Sequence, residues 1–205
     1  MAEIGVVVLA AGRSTRFREG GGAEPSKLVA SLAGEPLVRH AARAALASRA
    51  RPVVVVTGHA RESVETALGG LDVVFAHNPD YANGLASSLK TGIAALPDSV
   101  AGVLALLGDM PAVDAGLLDR LIDAFAGRPQ ALAATPVHAG RRGNPALLSR
   151  ALFPDIAKLD GDEGARRLLR EADPALVVEI AADGEAATLD VDTPEDLDAA
   201  RKSRR

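Results

Sequence analysis

There is no cysteine in the chain. Disulfides, thiolate metal sites and a cysteine nucleophile are therefore excluded. Tryptophan is also absent, and aromatic residues reach only 2% against 48% apolar residues. A core must be assembled from Ala, Val and Leu. No apolar run approaches the roughly 20 residues that a membrane-crossing helix needs. No basic region precedes an apolar stretch at the N-terminus, so a cytoplasmic location is expected. The dinucleotide pattern G-x-G-x-x-G is missing as well: Gly12 stands alone, and the next glycines are Gly20, Gly21 and Gly22. The second apolar run, Pro52 to Val56, leads into Thr57-Gly58 with no acidic residue to hold a ribose. The histidines His40, His59, His77 and His138 lack zinc-ligand spacing. A formal charge of −4 sets up no global attraction for nucleic acid, so any anion site must be a local cluster.

What the chain does have begins at Ile4. Ile4–Leu9 reads as a strand buried on both faces of a parallel sheet. It ends in small residues and then in Arg13, Arg16 and, further on, Lys27. Small residues let backbone N–H groups approach a ligand closely, and in open α/β sheets the ligand crevice lies at the carboxyl ends of the strands. Three cations there call for a polyanion, a triphosphate first of all. Arginine offers a planar fork for phosphate oxygens and lysine a movable point charge.

Further apolar runs at Pro52–Val56, Val73–Ala76, Gly102–Leu107 and Ala131–Thr135 alternate with amphipathic stretches near Pro36–Ser48, Arg61–Leu68, Leu85–Ala95 and Ala115–Phe125. That is the pattern of βα units around a mostly parallel sheet with helices on both faces. At 205 residues, one α/β domain spanning 1–205 is the simplest count. Asp114 is a plausible N-cap, and Thr193 with Asp196 makes a near capping box for a last helix beginning at Pro194. Pro136–Leu148 reads as an excursion from the sheet, a hairpin. A helix near Glu163–Glu171 and short strands at Leu176–Ile180 and Thr188–Asp190 complete the expectation.

Asp109 follows the apolar run Val103–Leu107, and a carboxylate there would face the same crevice as Gly12. Mg²⁺ is usually held by one or two carboxylates plus substrate phosphates, and Asp109 fits that role with Asp192 as partner. The competing readings are a turn residue before Pro111 and, for Asp190 and Asp192, service to the turn and helix start at Thr193. Arg141, Arg142, Gly143 and Asn144 form a polar cluster that suits either an anion or a solvated hairpin tip.

The segments Leu9-Ala10-Ala11-Gly12-x-Ser14-x-Arg16 and Pro25-Ser26-Lys27-Leu28 resemble the signature of the MobA-like nucleotidyltransferases. So do Gly108-Asp109-Met110-Pro111, Arg142-Gly143-Asn144-Pro145, Gly161-Asp162-x-Gly164-Ala165-Arg166 and Asp190-Val191-Asp192-Thr193-Pro194-Glu195-Asp196-Leu197. The set is most similar to the molybdenum cofactor cytidylyltransferases. The resemblance implies a three-layer Rossmann-like fold and Mg²⁺-dependent transfer of CMP from CTP to the terminal phosphate of a molybdopterin-type cofactor, with a molybdoenzyme receiving the product. It implies a nucleotide-binding half over about residues 1–110, with Leu9, Ala10, Ala11, Gly12, Arg13, Arg16, Lys27, Gly84 and Ser88 at the nucleotide. Arg13, Lys27 and Asp109 would be catalytic. An acceptor half over about 111–200 would use Arg142, Gly143, Asn144 and Asp162. Ala11 stands where guanylyl members tend to have glycine, which favours CTP over GTP, with base contacts from the Thr57-Gly58 loop. Asn83 reads alternatively as a plain helix cap. The gap between Arg16 and Lys27 is longer than is common in the family, and residues 18–24 are expected to form a mobile closing loop. Three other functions stay open: guanylyl or other nucleotidyl transfer to another phosphorylated acceptor, an NAD(P)H-dependent oxidoreductase, and a cofactor-delivering binding protein without turnover.

Overall fold

The computed structural model describes residues 3–162, 164–182 and 184–203. In chain order it runs β1 (Ile4–Ala10), α1 (Thr15–Glu19), β2 (Ser31–Leu32), β3 (Glu35–Pro36), α2 (Leu37–Ala47), β4 (Val53–Thr57), α3 (Arg61–Ala67) and β5 (Val74–His77). It continues through α4 (Leu85–Ala94), β6 (Gly102–Leu107), α5 (Ala115–Ala126), β7 (Ala133–His138), β8 (Arg141–Arg142), β9 (Ala146–Ser149), α6 (Phe153–Ile156), α7 (Arg166–Glu171), β10 (Val177–Ala181) and α8 (Pro194–Ser203).

The main sheet has eight strands in the order β10-β7-β9-β6-β1-β4-β5, with β8 paired to β7. β1 is parallel to both β4 and β6, β4 to β5, and β7 to β10. Continuous apolar runs follow from burial on both faces. Val6, Val8, Val53, Val55, Leu104 and Leu106 pack against α2, α3 and α5. Val7, Leu9, Val54, Val56, Val103 and Ala105 alternate onto the other face, against α4, α6 and α7. The expected three-layer α/β architecture is therefore present. Helix α2 illustrates how a core poor in aromatics closes: Leu37, Val38, Ala41, Ala42 and Ala45 lie on one stripe and are fully buried. Small side chains bring this helix close to the sheet, and each buried Val or Leu contributes roughly 1.5–3 kcal/mol.

After β5 the chain crosses back over β1 to add β6 on its other side, so the strand order reverses between β1 and β6. The carboxyl ends flanking such a switch point form the ligand crevice of an open α/β sheet. They carry Ala11–Ser14 and Asp109.

Three expectations are corrected. Residues 136–148 are not wholly an excursion: the β7–β8 hairpin pairs Val137 with Arg142, but β9 returns into the sheet between β6 and β7, antiparallel to both. Thr188–Asp190 is a turn and coil, not a strand. The helix expected from Glu163 begins at Arg166, and Glu163 itself lies outside the described residues. Within the segment 18–24 a local turn forms: the amides of Gly20, Gly21 and Gly22 donate to the carbonyls of Arg16, Arg18 and Phe17. Phe17 anchors this turn in a third, smaller core with Ala30, Leu32, Leu37, Val191, Leu197 and Ala200. That core joins α1, β2 and α8, and it holds the Lys27 and Asp192 segments side by side.

Candidate active site

A cavity of about 550 Å³ opens at the switch point. Its wall takes Leu9, Ala11, Gly12, Arg13 and Arg16 from the end of β1 and the turn after it, and Lys27 from the following segment. Gly84 and Ser88 come from the start of α4, Asp109 from the end of β6, and Asp192 from the approach to α8. Ala10 points into the opposite face and is buried against the α2, α3 and α5 layer.

Two serines build the turn that follows β1. Ser14 adopts a left-handed conformation with φ 52°. Its hydroxyl accepts from the Lys27 amide at 3.2 Å and lies 3.0 Å from the Ser26 hydroxyl. Ser26 is fully buried and accepts from the Leu28 amide at 3.2 Å. Their hydroxyls therefore set where Lys27 projects. Both stand in the motif, but their role as a lock between two turns was not legible in it.

Lys27 is the centre of the electrostatics. Its ammonium lies 2.6 Å from Asp109 Oδ2 and 2.6 Å from Asp192 Oδ1. Arg16 contacts Asp192 Oδ2 at 2.7 Å. Asp192 is held in place twice. The Val191 amide donates to the Asp109 carbonyl at 3.1 Å. Asp196 accepts from the Asp192 and Thr193 amides at 3.1 and 2.8 Å, and the Thr193 hydroxyl accepts from the Asp196 amide at 3.2 Å. The expected capping box thus exists, with Asp196 completing it. These bonds lower the Asp196 pKa even though partial burial acts the other way.

Burial opposes the charge on Lys27, but Asp109 and Asp192 outweigh it and hold its pKa above the ordinary value. Burial raises the Asp109 pKa; Lys27 pulls it down, while Asp190 and Asp192 push it further up. Asp109 Oδ1 is buried and has no hydrogen-bond partner, the one such side-chain atom among the described residues. An orphaned carboxylate oxygen beside a second carboxylate is a hard donor set that fits a divalent cation. No cluster of three metal-ligating side chains occurs among the described residues, so phosphates or water would supply the remaining ligands.

The predicted acceptor residues divide. Gly143, Asn144 and Arg142 line a second cavity of about 560 Å³, which shares Leu9, Leu85 and Leu107 with the first. Arg142 is already engaged: Nε donates to Glu179 Oε1 at 2.7 Å, and a terminal nitrogen donates to the Leu169 carbonyl at 2.8 Å. Asp162 is not with them. It lines the first cavity, pressed on Gly84. Gly84 has φ +93°, and a methyl there would meet the Gly161 carbonyl at 2.5 Å and Asp162 Oδ1 at 2.6 Å. The Gly161 carbonyl also accepts from the Ala86 amide at 3.0 Å and so caps α4. Asn83 is not the side-chain cap; Gly84 holds that position. Thr57 and Gly58 stand behind the wall rather than on it. Thr57 is fully buried, and a methyl on Gly58 would lie 2.7 Å from the Ala11 carbonyl and the Tyr81 Cβ. Tyr81 and Leu85, not singled out in the sequence, supply wall in their place.

Residues 6–176 match the family described as the MobA-like NTP transferase domain. Among curated proteins the chain is similar to the bifunctional protein GlmU of Clavibacter sepedonicus, 34% identical over 193 residues covering 91% of this chain and 34% of GlmU. The chain spans about a quarter to a third of the length of such relatives. Its structure is similar to that of Rv0371c from Mycobacterium tuberculosis H37Rv, at 30% identity and TM-score 0.80 over 98% of each chain. A complex of Rv0371c with manganese matches at 29% identity and TM-score 0.78, over 98% of this chain and all of the other. A nucleotidyl transferase from Methanothermobacter thermautotroptrophicus matches at 25% identity and TM-score 0.84, over 98% of this chain and 97% of the other.

Proposed function

The chain belongs to the MobA-like NTP transferase domain family, and from that premise we propose that it transfers CMP from CTP to the terminal phosphate of a molybdopterin-type cofactor, with Mg²⁺ as the metal. The observation that carries the reading is the constellation at the switch point. Lys27 is clamped between Asp109 and Asp192 beside the Gly12–Arg16 turn, and Asp109 presents an unpartnered buried oxygen. Arg13 and Arg16, both exposed on the wall, and Lys27 bind the triphosphate. Asp109 and Asp192 would hold the cation. When bound, it supplies positive charge that offsets phosphate oxygens; manganese is the ion in the Rv0371c complex.

An oxygen of the acceptor's phosphate attacks the α-phosphorus, a new P–O bond forms, and the bond to pyrophosphate breaks. A phosphate monoester has its second pKa at about 6, so the nucleophile is already ionised and needs no general base. Catalysis is then positioning and charge stabilisation, the work of Arg13, Arg16 and Lys27. The nucleotide half, about 1–110, borrows Asp162 from the acceptor half, about 111–200. Asp162 is therefore assigned to the nucleotide or to the boundary between substrates, and Gly143 and Asn144 to the acceptor. An NAD(P)H-dependent oxidoreductase has no support, since β1 ends in no dinucleotide loop. A delivery protein without turnover would not require Lys27 and Asp109 together.

Choice of CTP rests on Ala11, which lines the cavity and is 4% exposed. Pyrophosphate release with CTP, GTP, ATP and UTP, with and without Mg²⁺ and Mn²⁺, tests the reading. CTP with metal and molybdopterin is expected to be best, and Ala11→Gly should relax discrimination against GTP by about 10- to 100-fold. Preference for a purine refutes CTP; no turnover with any nucleotide refutes nucleotidyl transfer.

A further inference from the structure

The second cavity contains a charge imbalance that its own contacts do not absorb. Of four arginines on its wall, Arg142 and Arg170 already have partners. The one acid on its wall among the described residues, Glu179, is spent on Arg142. Arg141 on β8 and Arg166 at the start of α7 are exposed, and neither side chain has a hydrogen bond or ion pair among the described residues. Both also line a third cavity of about 380 Å³, which continues to Asp190 beside the Asp109–Asp192 pair. The two guanidiniums, unpartnered among the described residues, thus line a cavity that reaches Asp190, a neighbour of Asp109. Apart from Thr135 and Asn144, the rest of the second cavity is walled mainly by apolar side chains, Leu89, Ala105, Val137 and Leu169 among them.

We propose that Arg141 and Arg166 form the anion-binding pair of this cavity and take the phosphate of a ligand whose body is apolar or aromatic, while Arg142 is a positioning residue that ties β8 to β10 and α7. Naming that ligand the acceptor rests on the nucleotidyl-transfer reading; the site itself does not. Guanidiniums pair with phosphate by parallel charge-assisted bonds. Arg142 lacks that freedom, because using it would strand Glu179 and the Leu169 carbonyl. An apolar wall rejects a polyhydroxylated body, whose hydroxyls would be left without partners.

The test is direct binding by isothermal titration calorimetry of naphthyl phosphate, naphthol and glucose phosphate to the full chain saturated with CTP and Mg²⁺. Naphthyl phosphate should bind at least about tenfold tighter than either of the others, each of which lacks one of the two required features. Arg141→Gln and Arg166→Gln should each weaken naphthyl phosphate about tenfold with unchanged melting temperature and CTP affinity. Arg142→Gln should lower the melting temperature. The proposal is overturned by no binding of naphthyl phosphate, by equal or tighter binding of glucose phosphate, or by wild-type affinity in the Arg141 and Arg166 variants. Failure of CTP-dependent pyrophosphate release with this binding pattern intact refutes the function and leaves the site standing.

Discussion

Replacing Lys27 with methionine keeps length and volume and removes the charge. The side chain is 11% exposed and contacts carboxylates that are 16% and 20% exposed, each at 2.6 Å. Removing one partner of a buried ion pair costs about 3–5 kcal/mol, because a charge is left uncompensated. Arg16 still neutralises Asp192, so the stranded group is Asp109 and the lower end, about 3 kcal/mol, applies. In a chain of this size each kcal/mol shifts Tm by roughly 2–4 °C, so a drop of about 6–12 °C is expected at neutral pH.

The pH dependence has a defined sign. Lys27 has a raised pKa in the fold. Its contribution is complete below the ordinary lysine value and is lost as pH rises through the raised one, so the gap between wild type and variant should close at strongly alkaline pH. It should also narrow at acidic pH. Without Lys27 the main influence lowering the Asp109 pKa is gone, and a protonated Asp109 needs no cation. Melting curves across pH, with nucleotide titration and single-turnover kinetics in parallel, measure all of this. Turnover should fall about 100- to 1,000-fold, the usual cost of deleting one transition-state donor. A variant with wild-type Tm, nucleotide affinity and kcat refutes the clamp.

Three further outcomes follow from the same geometry. Asp109→Asn removes the unpartnered carboxylate charge and should abolish most metal-supported turnover while nucleotide still binds; full activity across a Mg²⁺ titration makes Asp109 structural. Asp196→Asn weakens the capping box and should cost about 1 kcal/mol at neutral pH. Because the Asp196 pKa is lowered in the fold, that stability is present above the usual carboxylate value and vanishes as pH falls through the lowered one, so acid melting curves of variant and wild type should converge. Gly84→Ala forces a methyl into positive φ and against Gly161, costing about 1–3 kcal/mol; hydrogen exchange should rise at the Ala86 amide, and unchanged exchange there removes the Gly161 cap from the account.

The sequence by itself determined the parts that local chemistry encodes. Ile4–Leu9 reads as a central strand because an unbroken apolar run has no polar face to show to water, and small residues end it where a turn must start. The Asp114 carboxylate, which accepts from the Leu117 amide at 2.8 Å, and the Thr193–Asp196 box are legible because cap and amide lie three residues apart. Tertiary structure alone decided what depends on distant segments meeting. β9 is four residues behind Pro145, too short to show a period, and only its insertion between β6 and β7 makes it a strand. Lys27 and Asp192 stand 165 positions apart, brought together by the small core under α1 and α8. From the sequence Arg142 reads as an acceptor residue, and Arg166 enters only as the end of the Gly161–Arg166 motif. Arg142 is engaged within the fold because Glu179 and the Leu169 carbonyl, which no local pattern joins to residue 142, lie within reach of its guanidinium. Backbone preference acts over a few residues, but which charges remain unpaired is settled only when the whole sheet closes.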